Sequence, residues 1–74
     1  MAPLSPFPYR EVRRKLESAG FVLYSQKGSH VKFIRKDGDS IRTVIVPAHK
    51  EIAVGTLRSI LRQAGIAPED FSEV

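Results

Sequence analysis

The chain has 74 residues, of which 42% are hydrophobic and 27% are charged, and it contains no cysteine. This length suffices for one domain, expected over residues 1–74, whose thin core leaves little room for the site of an organic cofactor. The lack of cysteine excludes disulfides and thiolate metal sites, and no apolar run is long enough to span a membrane. Because the N-terminus also lacks the regions of a signal peptide, we expect a cytoplasmic protein.

The positive charge of the chain is unevenly distributed. Residues 1–65 hold all twelve lysines and arginines and only five acidic residues, a net charge of +7, whereas residues 66–74 carry three acidic residues. A basic body of this kind favours a polyanionic partner, and nucleic acid is the first candidate. A solvated surface of mixed charge explains the same composition equally well.

The N-terminal part predicts an extended arm followed by a helix. Prolines at positions 3, 6 and 8 prevent helix formation in residues 1–7, and Pro8 itself suits a first helical turn. The helix is expected over about 8–19, with an end at Gly20. Its predicted core side chains are Tyr9, Val12, Leu16 and Ala19. Its basic outer side, either a solvated face or a phosphate-contacting strip, carries Arg10, Arg13 and Arg14, with Lys15 beside them.

Three segments rich in aromatic and β-branched residues follow, separated by two turn signals, Lys27-Gly28-Ser29 and Asp37-Gly38. They predict an antiparallel meander with strands at 21–26, 30–36 and 41–46. After a loop over 47–53, helical spacing predicts a second helix over about 54–64, with a short final turn from Pro68. We therefore expect an α+β fold of order αβββα, with both helices on one face of a three-stranded antiparallel sheet.

The alternation of side chains along a strand sorts the second strand between the two faces of the sheet. Facing the helices we expect Val31 and Phe33, and facing away His30, Lys32 and Ile34. Tyr24 on the first strand is suited either to stack on a nucleic-acid base or to fill the sheet, and we expect it to fill the sheet.

A series of short motifs resembles the pattern of a known family in order and spacing. The motifs are Gly20-Phe21, Gln26-Lys27-Gly28-Ser29-His30, Val46-Pro47-Ala48-His49 and Gly55-Thr56-Leu57. Each is weak alone, but together they extend over about residues 8–71. In this pattern the chain resembles the HicA, or YcfA-like, toxins of bacterial toxin–antitoxin modules.

The resemblance implies a fold like that of the double-stranded RNA-binding domain and a type II toxin that acts as an mRNA interferase, an endoribonuclease that cleaves mRNA. It implies that the histidine of the Gly-Ser-His motif, here His30, is the catalytic residue. It also implies a HicB-type antitoxin that binds the toxin and covers its active surface. No small-molecule cofactor and no membrane partner are expected.

The residues around His30 suit cleavage of RNA without a metal, because RNA carries its own nucleophile in the 2′-OH. An imidazole exchanges protons near neutral pH, so His30 can deprotonate the 2′-OH or protonate the leaving 5′-oxygen. Lys27, Lys32 and the amides of Gly28 and Ser29 can stabilise the negative charge of the transition state. The alternatives are a solvated histidine, ordinary exposed lysines, a glycine required by the turn and a serine that caps it.

His49 is the second histidine of the chain and follows Pro47 in the predicted loop. It is either a further proton-transfer group or a residue that packs the loop. We expect the packing role, because no local spacing ties it to His30. A metal site built from these two histidines has weak support without cysteines, and no metal is expected.

Two other functions of the same fold stay open. One is a non-catalytic module that holds structured RNA, although the helix start Val54-Gly55-Thr56 lacks the lysines common in double-stranded RNA-binding domains. The other is a protein-interaction module whose open sheet face, with Ile34 among the charges, binds an acidic partner.

Overall fold

The computed structural model describes residues 4–73, which form two α-helices, a three-stranded sheet and a two-stranded ribbon. The elements in chain order are β1 Phe7–Pro8, α1 Tyr9–Ser18, β2 Val22–Lys27, β3 His30–Asp37, β4 Ser40–Pro47, β5 Glu51–Ile52, α2 Val54–Ala64 and a 3-10 helix Pro68–Glu73. β2, β3 and β4 pair consecutively and antiparallel. The expected α+β class and αβββα order are confirmed, and the ribbon of β1 and β5 is an addition to them.

Both α-helices bury most of the side chains that helical spacing predicted, although Tyr9 and Ala19 are only partly buried against the core. α1 buries Val12 and Leu16, and α2 buries Leu57, Ile60, Leu61 and Ala64. α2 ends at Gly65, whose φ of 71° lies in the left-handed region that glycine adopts without strain. α1 is one residue shorter at each end than expected, with Pro8 in the capping position before its first turn.

The hydrophobic core lies between the helices and one face of the sheet. Phe33 of β3 and Val44 of β4, which pair with each other, are both fully buried there. Lys32 and Ile45, the next pair, lie on the opposite side, which the described helices leave uncovered. The expected sorting of the β3 side chains is confirmed, because alternation along each strand and pairing across strands assign the same faces.

We call this uncovered side of the sheet the open face. From the strand register it carries Val22, Tyr24, Ser25, Lys27, His30, Lys32, Ile34, Lys36, Ile41, Thr43, Ile45 and Pro47.

The N-terminal segment is attached to the domain from residue 4 onwards. Phe7 and Pro8 pair antiparallel with Ile52 and Glu51, and Leu4 packs against the core. The ring of Phe7 meets the ring of Phe71 edge-on, with the centroids 5.0 Å apart. The extended conformation expected for this arm is right at Phe7, whereas Pro8, expected in the first turn of the helix, is also extended. Residues 1–3 of the predicted arm lie outside the described residues.

Lys15 corrects the predicted basic outer side of α1, because its side chain is buried. Its Nζ donates to the carbonyl of Phe71 at 3.1 Å and lies 5.0 Å from the centroid of that ring. Helical spacing placed Lys15 beside the outer arginines, but the 3-10 helix that contains Phe71 covers this side of α1. Lys15 therefore belongs to the packing of the C-terminal segment.

A carboxylate at the turn between β3 and β4 connects the ends of both α-helices. Asp37 accepts hydrogen bonds from Arg35 at 2.8 and 3.2 Å and from Arg42 at 3.1 Å. Arg35 also donates to the carbonyl of Ala19 after α1, and Arg42 donates to the carbonyl of Gln63 in the last turn of α2. These bonds satisfy carbonyls that the end of a helix leaves without intrahelical partners.

Candidate active site

His30 is the first residue of β3, and its side chain is exposed at one end of the open face. In the sheet register it pairs with Lys27 on β2 and with Pro47 on β4. Directly opposed side chains in antiparallel strands have Cβ atoms about 4.5–5.5 Å apart, so Lys27 can reach a group bound at the imidazole. Lys32, two residues further along β3, lies on the same face.

The two-residue turn between Lys27 and His30 depends on its glycine. Gly28 has a φ of 59° and Ser29 has no positive φ, as in a type II′ hairpin turn with glycine at the first central position. The Gly28 carbonyl accepts a hydrogen bond of 3.0 Å from the side chain of Gln26. Among the described residues, the amides of Gly28 and Ser29 donate to no acceptor, which leaves both free to bind an anion.

A main-chain hydrogen bond joins this turn to the loop after β4. The amide of Ala48 donates to the carbonyl of Ser29, one step beyond the last strand pair, His30 with Pro47. Sequence spacing alone did not reveal this connection. It becomes visible when the antiparallel register of β3 and β4 is extended by one residue past Pro47, because Ser29 then falls opposite Ala48.

His49, the next residue of the loop, is exposed. The expectation that it packs the loop is therefore wrong. Ala48 packs against the core instead, and His49 points its side chain to solvent immediately after it. The main-chain hydrogen bond between Ala48 and Ser29 places this second histidine at the same end of the molecule as the Gly28-Ser29 turn.

Tyr24 differs from the expectation that it fills the sheet, since 65% of its surface is exposed. The pairing of β2 with β3 shifts register between Leu23 and Ser25, so that Tyr24 lies in a β-bulge. The Nζ of Lys32 lies 5.9 Å from the centroid of the Tyr24 ring, which puts both side chains on the open face. A bulge cannot be read from composition, because strand-forming residues occupy the whole segment.

The open face combines positive charge with exposed apolar side chains. Its lysines are Lys27, Lys32 and Lys36, and the described strands place no acidic side chain on it. At the end far from His30, Val22 and Ile41 are each 58% exposed. Lys27 and Lys32, the lysines near His30, can attract a phosphate, and the exposed apolar side chains at the far end, which Lys36 adjoins, can be covered by a partner.

The outer arginines of α1 are partly neutralised by glutamates of the same helix. Arg14 pairs with Glu11 at 2.8 Å, and Arg13 approaches Glu17 at 3.4 Å. The hydrogen bond from Arg14 and its positive charge lower the pKa of Glu11, so this carboxylate stays ionised. The pairs make α1 a weaker phosphate-contacting strip than the sequence suggested.

The described residues contain no group of three or more histidine, cysteine, aspartate or glutamate side chains placed to hold a metal ion. None of the helices within residues 4–73 combines the length and apolar composition that crossing a bilayer requires.

The structure thus brings together Lys27, Gly28, Ser29, His30 and Lys32 at one end of the open face, with His49 on the adjoining loop. A comparison with curated proteins found no match for this chain. A comparison with protein families found that the profile described as the HicA toxin of bacterial toxin–antitoxin systems matches residues 9–66. This span runs from the first residue of α1 to just past the end of α2 and includes the whole sheet. The chain therefore belongs to the HicA family of bacterial toxin–antitoxin toxins.

Proposed function

We propose that this protein is an endoribonuclease that cleaves mRNA in the cytoplasm without a metal ion, with His30 as its catalytic residue. Its family membership implies an antitoxin partner, and we propose that this partner is of the HicB type. The single observation that carries the catalytic assignment is the position of His30, exposed on a basic sheet face beside a turn with two free amides.

The proposed reaction uses the 2′-OH of the substrate as nucleophile. The 2′-oxygen attacks the adjacent phosphorus, its proton passes to a base, and the bond to the 5′-oxygen of the next nucleotide breaks as that oxygen gains a proton. His30 serves as the base or as the acid in this sequence. The products are a 2′,3′-cyclic phosphate and a 5′-OH, so the reaction needs no further reagent.

The residues around His30 supply positive charge where the phosphorane becomes more negative. Lys27 lies opposite His30 across the turn, and Lys32 lies next to it on the same face. The free amides of Gly28 and Ser29 can donate to a non-bridging oxygen, because glycine lets the main chain approach a phosphate closely. Each of these groups acts as an electrostatic stabiliser in the proposal, and none of them needs to transfer a proton.

The test is cleavage of a defined RNA by the purified protein in excess EDTA, with the new ends analysed. We expect cleavage to persist, with 2′,3′-cyclic phosphate and 5′-OH ends, and expression in bacteria to arrest growth unless the antitoxin is present. Complete loss of cleavage in EDTA, restored by a divalent ion, would contradict the metal-independent mechanism. Binding of intact RNA over hours without cleavage would support a non-catalytic RNA-binding module instead.

A protein-interaction module is the second candidate, and the exposed apolar side chains of Val22 and Ile41 favour it. Such a surface suits a protein partner, as an antitoxin would be. If this were the whole function, the purified protein would bind its partner but would have no ribonuclease activity. Growth inhibition without any RNA cleavage would support this candidate over the first.

A further inference from the structure

We propose that Tyr24 and Lys32 form a nucleotide subsite beside His30, in which the Tyr24 ring stacks on an unpaired base of single-stranded RNA and Lys32 contacts a phosphate of the same strand. The inference rests on the proposed ribonuclease function and names the form of substrate that the site accepts. Tyr24 is a binding residue in this inference and takes no part in proton transfer.

The β-bulge is the first observation behind this subsite. Leu23 pairs with Phe33 and Ser25 pairs with Lys32, so Tyr24 is the extra residue between two regular pairs. Such an extra residue has no partner of its own on the neighbouring strand. The Tyr24 ring lies on the open face beside Lys32, with 65% of the residue exposed, on an edge strand whose residues are all exposed.

The distance to His30 is the second observation. Lys32 follows His30 by two residues on the same face of β3, which corresponds to about 7 Å along the strand. The Nζ of Lys32 lies 5.9 Å from the Tyr24 ring centroid. A base stacked on Tyr24 therefore belongs to a nucleotide close to the scissile phosphate at His30, and Lys32 lies between the two positions.

The chemistry of the face favours single-stranded RNA as the occupant. The bases of a duplex are stacked inside it, whereas unpaired bases stack readily on exposed aromatic side chains. On the open face, the described strands β2, β3 and β4 carry lysines and no acidic side chain, which complements a polyanion. On α1, the alternative surface for a duplex, Arg13 and Arg14 are already paired with Glu17 and Glu11.

The absence of tryptophan from the sequence makes a direct test available. We would introduce Tyr24→Trp together with His30→Ala, so that the RNA is not cut, and titrate a short unstructured oligoribonucleotide. We expect the tryptophan fluorescence to be quenched on stacking, and the quenching to be lost with an abasic strand of the same length. Ser18→Trp in the same background, on the exposed end of α1, is the matched control and should not respond.

Quenching at position 18 and none at position 24 would overturn the proposal, because the RNA would then lie on the helical side. Equal quenching at position 24 by the abasic strand would also overturn it, since binding would then depend on phosphates alone. A response at position 24 to an antitoxin but not to RNA would assign this surface to a protein partner and contradict the subsite.

A second measurement separates the subsite from the proposed cleavage. We expect Tyr24→Leu to weaken binding of the oligoribonucleotide by between about 5-fold and 150-fold, and Tyr24→Phe to weaken it little, because phenylalanine keeps the ring. In cleavage assays the Tyr24→Leu change should raise KM more than it lowers kcat. If Tyr24→Leu cleaves RNA as efficiently as the parent protein, the subsite is wrong and the ribonuclease assignment stands. If stacking occurs but the parent protein never cleaves, the ribonuclease assignment fails and the subsite stands.

Discussion

The main-chain amide of Ala48 donates a hydrogen bond to the carbonyl of Ser29, and this bond links the loop after β4 to the turn before His30. The bond extends the pairing of β3 with β4 by one residue, before the first residue of β3 and after the last residue of β4. The Gly28-Ser29 turn is thus held by two hydrogen bonds. The Gln26 side chain on β2 donates to the Gly28 carbonyl, and the Ala48 amide in the loop after β4 donates to the Ser29 carbonyl. The position of the turn is therefore set by β2 and by the loop after β4.

Replacing Ala48 by proline tests the role of this bond. Ala48→Pro removes the donor, and we expect the free energy of unfolding to fall by about 1 kcal/mol and RNA cleavage to slow, because the turn amides are then less well positioned. Urea denaturation and single-turnover cleavage measure the two effects. Ala48→Gly keeps the amide and is the control. If both variants cleave RNA at the same rate, the bond does not position the turn.

The two histidines are expected to differ in their importance for cleavage. His30 lies in β3 between two paired strands, whereas His49 lies in a loop, and regular strands position side chains more precisely than loops. We expect His30→Ala to lower the cleavage rate by about 10²- to 10⁴-fold, the range typical of a lost proton-transfer group. His49→Ala is expected to lower it by less than about 10-fold.

Both histidine side chains are exposed, so neither variant should change the thermal unfolding curve by much. Circular dichroism checks this before the rates are compared. Full activity of His30→Ala would contradict its catalytic assignment. An equally large loss in both variants would identify His49 as the partner of His30 in proton transfer.

Asp37 makes the stability of the fold depend on pH in the acidic range. The hydrogen bonds from Arg35, followed by the hydrogen bond from Arg42, hold the pKa of Asp37 below its ordinary value. A lowered pKa in the folded state means that the ionised form stabilises the fold above the unfolded pKa of about 4, and that this contribution is lost as the pH falls through the folded pKa. We expect Asp37→Asn to melt at a lower temperature than the parent protein at pH 7.

The difference in melting temperature between the parent protein and Asp37→Asn should begin to shrink as the pH falls below about 4, where the unfolded chain is protonated, and should be lost once the pH has fallen through the lower pKa of the folded state. Asp39→Asn changes the net charge equally in the same turn and should follow the pH dependence of the parent protein. A difference for Asp37→Asn that stays constant between pH 7 and pH 2.5 would show that its ionisation is not coupled to folding.

Two glycines of α2 allow a matched pair of substitutions: Gly65 ends the helix, and Gly55 lies within it. Gly65 has a φ of 71°, and an added Cβ would come within 3.0 Å of the Arg42 guanidinium. We expect Gly65→Ala to lower the free energy of unfolding by about 1–2 kcal/mol, the cost of a left-handed residue with a side chain. Urea denaturation measures this change.

Gly55→Ala is the control for this substitution, because a Cβ there would have no neighbour within 4 Å and the residue lies in a helix. It should stabilise the protein by up to about 1 kcal/mol, since alanine favours a helix over glycine. If Gly65→Ala were as stable as Gly55→Ala, the end of α2 would not depend on the left-handed conformation.

The pattern of apolar residues was enough to predict the main elements and the two faces of β3. Helical spacing identified Leu57 and Ile60 as core residues, and strand alternation separated Phe33 from Lys32. Helical spacing and strand alternation both follow from local backbone geometry, so each is visible in a single sequence. Short motifs at fixed spacing also pointed to the family that the profile over residues 9–66 shows.

The sequence by itself thus determined the order of helices and strands, the core side chains and the family, because these depend on residues close together in the chain. Only the tertiary structure decided that Lys15 is buried under Phe71, that Tyr24 lies exposed in a bulge beside Lys32, and that the loop of His49 is joined to the turn of His30. Each of these depends on a contact with a segment distant in sequence or on the register between two strands. Neither leaves a periodic signal in the chain, because the apolar pattern of a segment reflects its own backbone geometry, whereas a bulge or a distant contact depends on the segment that packs against it.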